Sequence, residues 1–170
     1  RLRGKQYKLS IHSKVVLTTS AVLIVIGTIA FYFLESGNSQ TLGNLGPIQK
    51  AMTAAFHSTV ARSSGFTTLN IGAVSTATLM LLILLMLIGS SPGGTGGGIK
   101  TTTAAAAWHA VVSFAKGKND TELFGRRLSS AAIVKALAII VASLGLITTA
   151  SFIISVLERL PLEKIVIEVT

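Results

Sequence analysis

Arg62-Ser63-Ser64-Gly65-Phe66-Thr67-Thr68 closes a segment that opens at Pro47, and the reading of that segment decides the fold. Pro at a first helical position loses nothing by lacking an N–H, so Asn44-Leu45-Gly46-Pro47 reads as a helix start. A helix over 47–61 reaches only about 20 Å, short of the ~30 Å hydrocarbon core of a bilayer. Between two hydrophobic segments it either lies outside as a globular amphipathic helix or dips in and returns. If it dips in, the carbonyls of its C-terminal end carry partial negative charge toward the membrane centre and favour a cation. The following small-residue run must climb out as non-helical backbone, which survives at that depth only when protein buries it or it lines a water-filled passage. Its carbonyls can there replace an ion's hydration shell. The expectation is a re-entrant pore loop, with a pore helix over 47–61 and a filter over 62–68.

Within the filter, Gly65 offers no side chain to block an ion and has positive φ available where carbonyls must turn one way. Ser63 and Ser64 are small enough to pack around it. Phe66 belongs to the same stretch and is expected to pack behind it. A guanidinium in a cation path would repel the ion, so Arg62 is expected to turn away and bond to filter or loop carbonyls. The alternative for Arg62 is an arginine snorkelling to the interface.

Composition supports the membrane setting. Half of the 170 residues are hydrophobic and only 12% are charged, with a mean hydropathy of +0.69, outside the usual range of soluble domains. The formal net charge of +9 reads as positive cytoplasmic loops rather than a nucleic-acid-binding surface. There is no Cys, hence no disulfide, thiolate metal site or thiol nucleophile. No clustered set of His, Asp or Glu stands within the apolar runs, which argues against a membrane-embedded enzyme. The chain opens on Arg1 without a Met and without a cleavable signal, as expected of an internal piece of a longer protein.

Residues 1–14 form a basic cytoplasmic lead-in, and 15–34 an uncharged run of spanning length with Phe31 and Tyr32 as interfacial anchors. The second span, 73–116, would reach roughly 66 Å as one straight helix, twice the hydrocarbon core, so it must break. The break is expected at 89–98, where Gly93-Gly94-Thr95-Gly96-Gly97-Gly98 interrupts the apolar pattern. A glycine-rich stretch inside the membrane is a natural gate. Lys100 either lines the passage and hinders cations or bonds to loop carbonyls. A phosphate-binding loop starting at Gly93 fails on spacing, because Ile99 is inserted before Lys100, and a flexible linker has the wrong setting between two apolar helices. Residues 117–129 read as a charged cytoplasmic loop, 130–157 as the first span of a further repeat, and 158–170 as the start of its pore helix at Pro161. This topology puts nine Lys and Arg in the inner segments against four outside, in agreement with the positive-inside rule.

Ala61-Arg62-Ser63-Ser64-Gly65-Phe66-Thr67-Thr68, followed by Gly93 to Thr101, resembles the Trk/Ktr/HKT superfamily of potassium transporters, and in particular the membrane subunits of bacterial Ktr systems. The resemblance covers the whole chain. It implies an all-α integral membrane protein of the plasma membrane in which four span, pore loop, span repeats surround one pore. This chain would supply the third repeat and the opening of the fourth. Gly65 would be one of four filter glycines, K+ would be held by filter backbone carbonyls, and 93–98 would gate the passage below. The resemblance further implies K+ as the transported ion with Na+ as a candidate coupling ion, and no covalent cofactor. The implied partners are the remaining repeats, a second copy in a homodimer, and a cytoplasmic nucleotide-binding ring. The rival reading is an ion-coupled carrier of an organic solute, which also uses broken helices but needs no short helix ending in Ser-Ser-Gly.

Overall fold

The computed structural model describes residues 10–62, 65–93, 97–117, 120–157 and 162–170, with the backbone alone at 162–164. The described residues form six α-helices: α1 (Ile11–Glu35), α2 (Pro47–Val60), α3 (Thr76–Leu87), α4 (Thr101–Ala115), α5 (Ser130–Leu157) and α6 (Leu162–Val169). A 3-10 turn, Ile71–Ala73, precedes α3. The helix starts follow from polar caps: Ser10 Oγ accepts from Ser13 N at the head of α1, and Ser75 Oγ from Thr78 N at the head of α3.

Among the described residues, α1 and α5 are the helices long and apolar enough to cross a membrane. Their most apolar windows are only 17% and 6% buried, which separates them from the core helices of a soluble protein. Val141, Leu146 and Phe152 of α5 are all largely exposed. With little packing inside the chain, these apolar faces suit lipid or neighbouring protein. At 12 and 15 residues, α3 and α4 reach about 18 and 22 Å, each too short to span alone.

Helix α1 is the central post, packing against α2, α3 and α4, while α5 packs on α4 and α6, and α6 returns to α3. One core cluster unites Phe31 of α1, Leu42 of the following loop, Ala54 of α2 and Leu82 of α3, with Leu69 and Ile167 packed against it. Helices α1 and α2 come close at Gly27, where a Cβ would run into Ser58 Oγ of α2. That hydroxyl donates to Ile24 O of α1 at 3.0 Å.

One segment departs from the all-α expectation. The charged loop folds into a small antiparallel ribbon, β1 (Glu122–Leu123) with β2 (Arg126–Arg127), in the register Glu122↔Arg127 and Leu123↔Arg126. Phe124 and Gly125 make its turn at φ 50° and 75°, the left-handed pair that matches strand twist. Leu128 N donates to Thr121 O at 2.8 Å, and Arg127 pairs with Asp120. The ribbon forms because Leu123 has somewhere to go: it is buried with Val15 of α1 and Ala105 of α4.

Candidate functional site

The C-terminal end of α2 delivers the chain into 62–68. Ala61 N and Arg62 N close the last turn on His57 O and Thr59 O, and Gly65 N reaches back to Val60 O at 3.3 Å. Gly65 lies at φ 65° with open space where a Cβ would stand. Backbone conformation, not crowding, is therefore what asks for glycine at this position. Ser63 and Ser64 lie outside the described residues.

Arg62 turns into the protein. It is 9% exposed, and its guanidinium donates from Nη1 to Ser20 O at 3.3 Å and from Nη2 to Ser20 Oγ at 3.4 Å. The expectation was a turn away from the ion path toward filter or loop carbonyls; the described acceptors belong to Ser20 in the middle of α1. The buried Nε of Arg62 has no acceptor among the described residues. Phe66 was expected to be packed, yet it is 73% exposed and outside the core clusters of this chain.

The outgoing limb is tied down differently. Thr67 Oγ1 donates to Leu69 O at 2.6 Å and accepts from Leu69 N at 3.2 Å, a local turn that stiffens 67–69. A 3.1 Å hydrogen bond joins Thr68 Oγ1 to His57 Nε2. The His57 ring is buried, stacked on Phe31 of α1 at 5.3 Å and 6°, with Phe56 edge-on at 5.5 Å.

A polar hub that the apolar reading of α1 did not reveal gathers at the end of that helix. Glu35, at the end of α1, is fully buried. Its Oε1 accepts from Ser75 N and Thr78 Oγ1 at 2.9 and 2.6 Å, and its Oε2 from Asn38 Nδ2 and Thr41 Oγ1 at 2.8 and 2.5 Å. Asn38 Nδ2 also donates to Ala73 O at 2.9 Å. Lys50, in the first turn of α2, donates to Ser36 O at 2.9 Å. The α1 end, the loop before α2 and the α3 head are thereby one unit. The available signal in the sequence was a carboxylate at the edge of an otherwise uncharged run, a residue type that is costly there without a role.

The glycine run hangs from other elements, the ends of α3 and α4. Ile99 N donates to Leu87 O at 3.0 Å, and Ile99 is buried. A Cβ at Gly89 would overlap Gly97 O, and one at Gly98 would meet Leu87 O at 3.0 Å and Met86 O at 3.1 Å. Gly98 also sits at φ 71°. These contacts bring the two ends of the loop together, so that α4 begins beside the point where α3 stops. Gly93 has φ 92° and no atom within 4 Å of an added Cβ. Lys100 stands at the N-cap of α4, where its carbonyl accepts from Ala104 N at 3.0 Å. Gly94, Thr95 and Gly96 lie outside the described residues. No group of three or more His, Cys, Asp or Glu able to hold a metal ion is found among the described residues.

Comparison with known proteins meets this geometry. The family model described as "TrkH: Cation transport protein" matches residues 5–165. The Ktr system potassium uptake protein B of Bacillus subtilis (strain 168) is 32% identical over 168 residues, covering 98% of this chain and 38% of that protein. Its namesake from Vibrio alginolyticus is 36% identical over 160 residues, covering 94% of this chain and 35% of the relative. Potassium/sodium uptake protein NtpJ of Enterococcus hirae is 34% identical over 154 residues, covering 91% and 34%. The chain thus spans a little over a third of the length of these curated relatives. The family is one of cation transporters rather than enzymes, and its setting is the membrane. Matched along nearly its whole length, the chain belongs to the TrkH family of cation transport proteins.

Proposed function

We propose that this chain is part of the pore of a K+ uptake transporter, in which 62–68 forms one share of a selectivity filter and 89–98 a gate. The observation that carries the reading is Gly65: exposed backbone at positive φ, held at the end of a helix too short to span. Helix α2 directs the partial negative charge of its last carbonyls toward the passage. Filter carbonyls then replace the hydration shell of K+. The names of the relatives, potassium uptake proteins in two cases and a potassium/sodium uptake protein in the third, support K+ as the transported ion and keep Na+ as a candidate coupling ion.

The remaining filter glycines come from repeats outside this chain, so the piece conducts only with them. In the proposed topology the N-terminal lead-in and the 117–129 loop are cytoplasmic and α2 enters from the outer side. A homodimer and a cytoplasmic nucleotide-binding ring complete the assembly, a reading that rests on the family resemblance. The decisive experiment is Gly65→Ser in the full-length transporter, assayed for K+ and Na+ uptake. The expected result is a lower K+ over Na+ ratio, and an unchanged ratio with normal expression overturns the filter assignment.

A further inference from the structure

We propose that His57 is a positioning residue for ion selectivity, acting through its hydrogen bond to Thr68 to hold the limb that leaves Gly65. The inference rests on reading 62–68 as a filter and adds to it the side chain that keeps the filter backbone in place.

A carbonyl cage discriminates between ions only if its oxygens stay within about 0.5 Å of their working positions. Gly65, Phe66, Thr67 and Thr68 are all exposed, so packing of their own side chains within this chain does not hold them. Something else must. The Thr67–Leu69 turn makes 67–69 locally stiff, which means that a tether at Thr68 is also a tether on Thr67. That tether ends on His57, a ring that cannot swing away. Phe31 covers one face in a parallel stack, Phe56 meets it edge-on, and the residue is 5% exposed. Phe31 is itself 1% exposed and belongs to the core cluster with Leu42, Ala54 and Leu82. The sequence of contacts from Thr68 to the core is therefore short: one hydrogen bond and one stacked pair.

A phenylalanine at position 57 could fill much of the same space, but it could not bond Thr68. The role of His57 is thus divisible into packing, which sets stability, and the bond, which sets the position of the limb. The two are separated by variants of Thr68, an exposed residue whose hydroxyl can be replaced by a methyl without opening a core cavity.

The test measures K+ and Na+ uptake by the full-length transporter carrying Thr68→Val, Thr68→Ser, His57→Leu, His57→Gln, and His57→Leu with Thr68→Val. Thr68→Val and His57→Leu are each expected to lower the K+ over Na+ ratio about fivefold, the scale of one hydrogen bond. The double variant should fall no further than the worse single one, because both remove the same interaction. Thr68→Ser and His57→Gln, which keep a bonding partner in reach, should hold the ratio within about twofold. An unchanged ratio in Thr68→Val overturns the proposal, as does additive loss in the double variant. A fall in thermal stability of His57→Leu without a change in ratio overturns it too, since that is the mark of packing alone. If His57→Leu does not reach the membrane, the two Thr68 variants decide. Gly65→Ser run alongside distinguishes the two levels: if it alters the ratio and Thr68→Val does not, only the tether fails, whereas no change in either removes the filter reading itself.

Discussion

Glu35 Oε1 accepts a hydrogen bond from Thr78 Oγ1 at 2.6 Å, joining the last residue of α1 to the first turn of α3. Every donor to this buried carboxylate in the described network is neutral: two hydroxyls, an amide side chain and a backbone N–H. Removing the carboxylate therefore strands four donors rather than freeing a countercharge. Glu35→Ala is expected to destabilise the fold by about 3–5 kcal/mol, since several buried donors lose their acceptor at once. Glu35→Gln keeps one acceptor oxygen and turns an NH2 toward two of the donors, so its cost should be about 2 kcal/mol. Equilibrium unfolding of the detergent-solubilised protein measures both, and equal stability of Glu35→Ala and the parent contradicts the hub.

Helix α1 and helix α2 approach each other through Gly27. A methyl there would strike Ser58 Oγ and press on Leu85 Cδ1, at 3.1 Å, so the helices must part and the Ser58 bond to Ile24 O is lost. Gly27→Ala should cost about 1–3 kcal/mol as an overpacking change. Adding Ser58→Ala clears the hydroxyl and should recover about half of that cost, while leaving the Cβ of residue 58 in place. Thermal unfolding of the two variants side by side checks the order.

Two glycines of the loop between α3 and α4 make opposite demands. Gly98 combines positive φ with backbone oxygens at 3.0 and 3.1 Å from a would-be Cβ, whereas Gly93 has positive φ and open space. Gly98→Ala is expected to lose about 3 kcal/mol or more, from backbone strain with a clash added, and Gly93→Ala only about 1 kcal/mol from strain. Under the gating proposal, Gly93→Ala in a folded transporter should change flux with stability nearly intact. Identical stability losses at the two positions would count against the closed base of the loop.

Arg62 is a buried cation that no carboxylate pairs among the described residues, with Nε unsatisfied and Ser20 as acceptor for the other two nitrogens. Such a charge carries a desolvation cost that its hydrogen bonds only partly offset. Arg62→Met should leave stability within about 1 kcal/mol of the parent or raise it. Transport should nevertheless fall, because the incoming limb loses its tie to α1. Stability and uptake measured on the same preparation separate these effects, and a variant that keeps full uptake would show that the tie to Ser20 is dispensable.

How much of this was readable in the sequence depends on how local the cause is. The two membrane-length helices follow from uncharged runs alone, because a backbone in hydrocarbon has to satisfy its hydrogen bonds within the segment whatever surrounds it. The conformational freedom of Gly65 is likewise a property of the residue itself. By contrast, the bonds from Glu35 to Ser75 and Thr78, from Arg62 to Ser20 and from Ser58 to Ile24 join residues far apart in the chain, and no periodicity encodes them. The tie from Arg62 to Ser20 could not be read from the sequence for this reason. The ribbon at 122–127 was hidden in another way: Phe124 occupies a left-handed turn position that sequence rules reserve for Asn, Asp or Gly, and only the burial of Leu123 makes the turn worthwhile.

Ser20 and Phe31, the two places where α1 receives the ends of the stretch around Gly65, stand about three helical turns apart, or roughly 16 Å along the axis. Helix α1 is in this sense a measuring rod: its pitch sets the separation between the incoming anchor at Arg62 and the outgoing one at His57. A one-residue insertion between Ser20 and Phe31 would rotate one mark by about 100° relative to the other. The apolar composition of the span would hardly change, yet the rod would no longer fit the loop that it gauges. Besides the glycine at position 27, length is the property that this part of α1 has to keep.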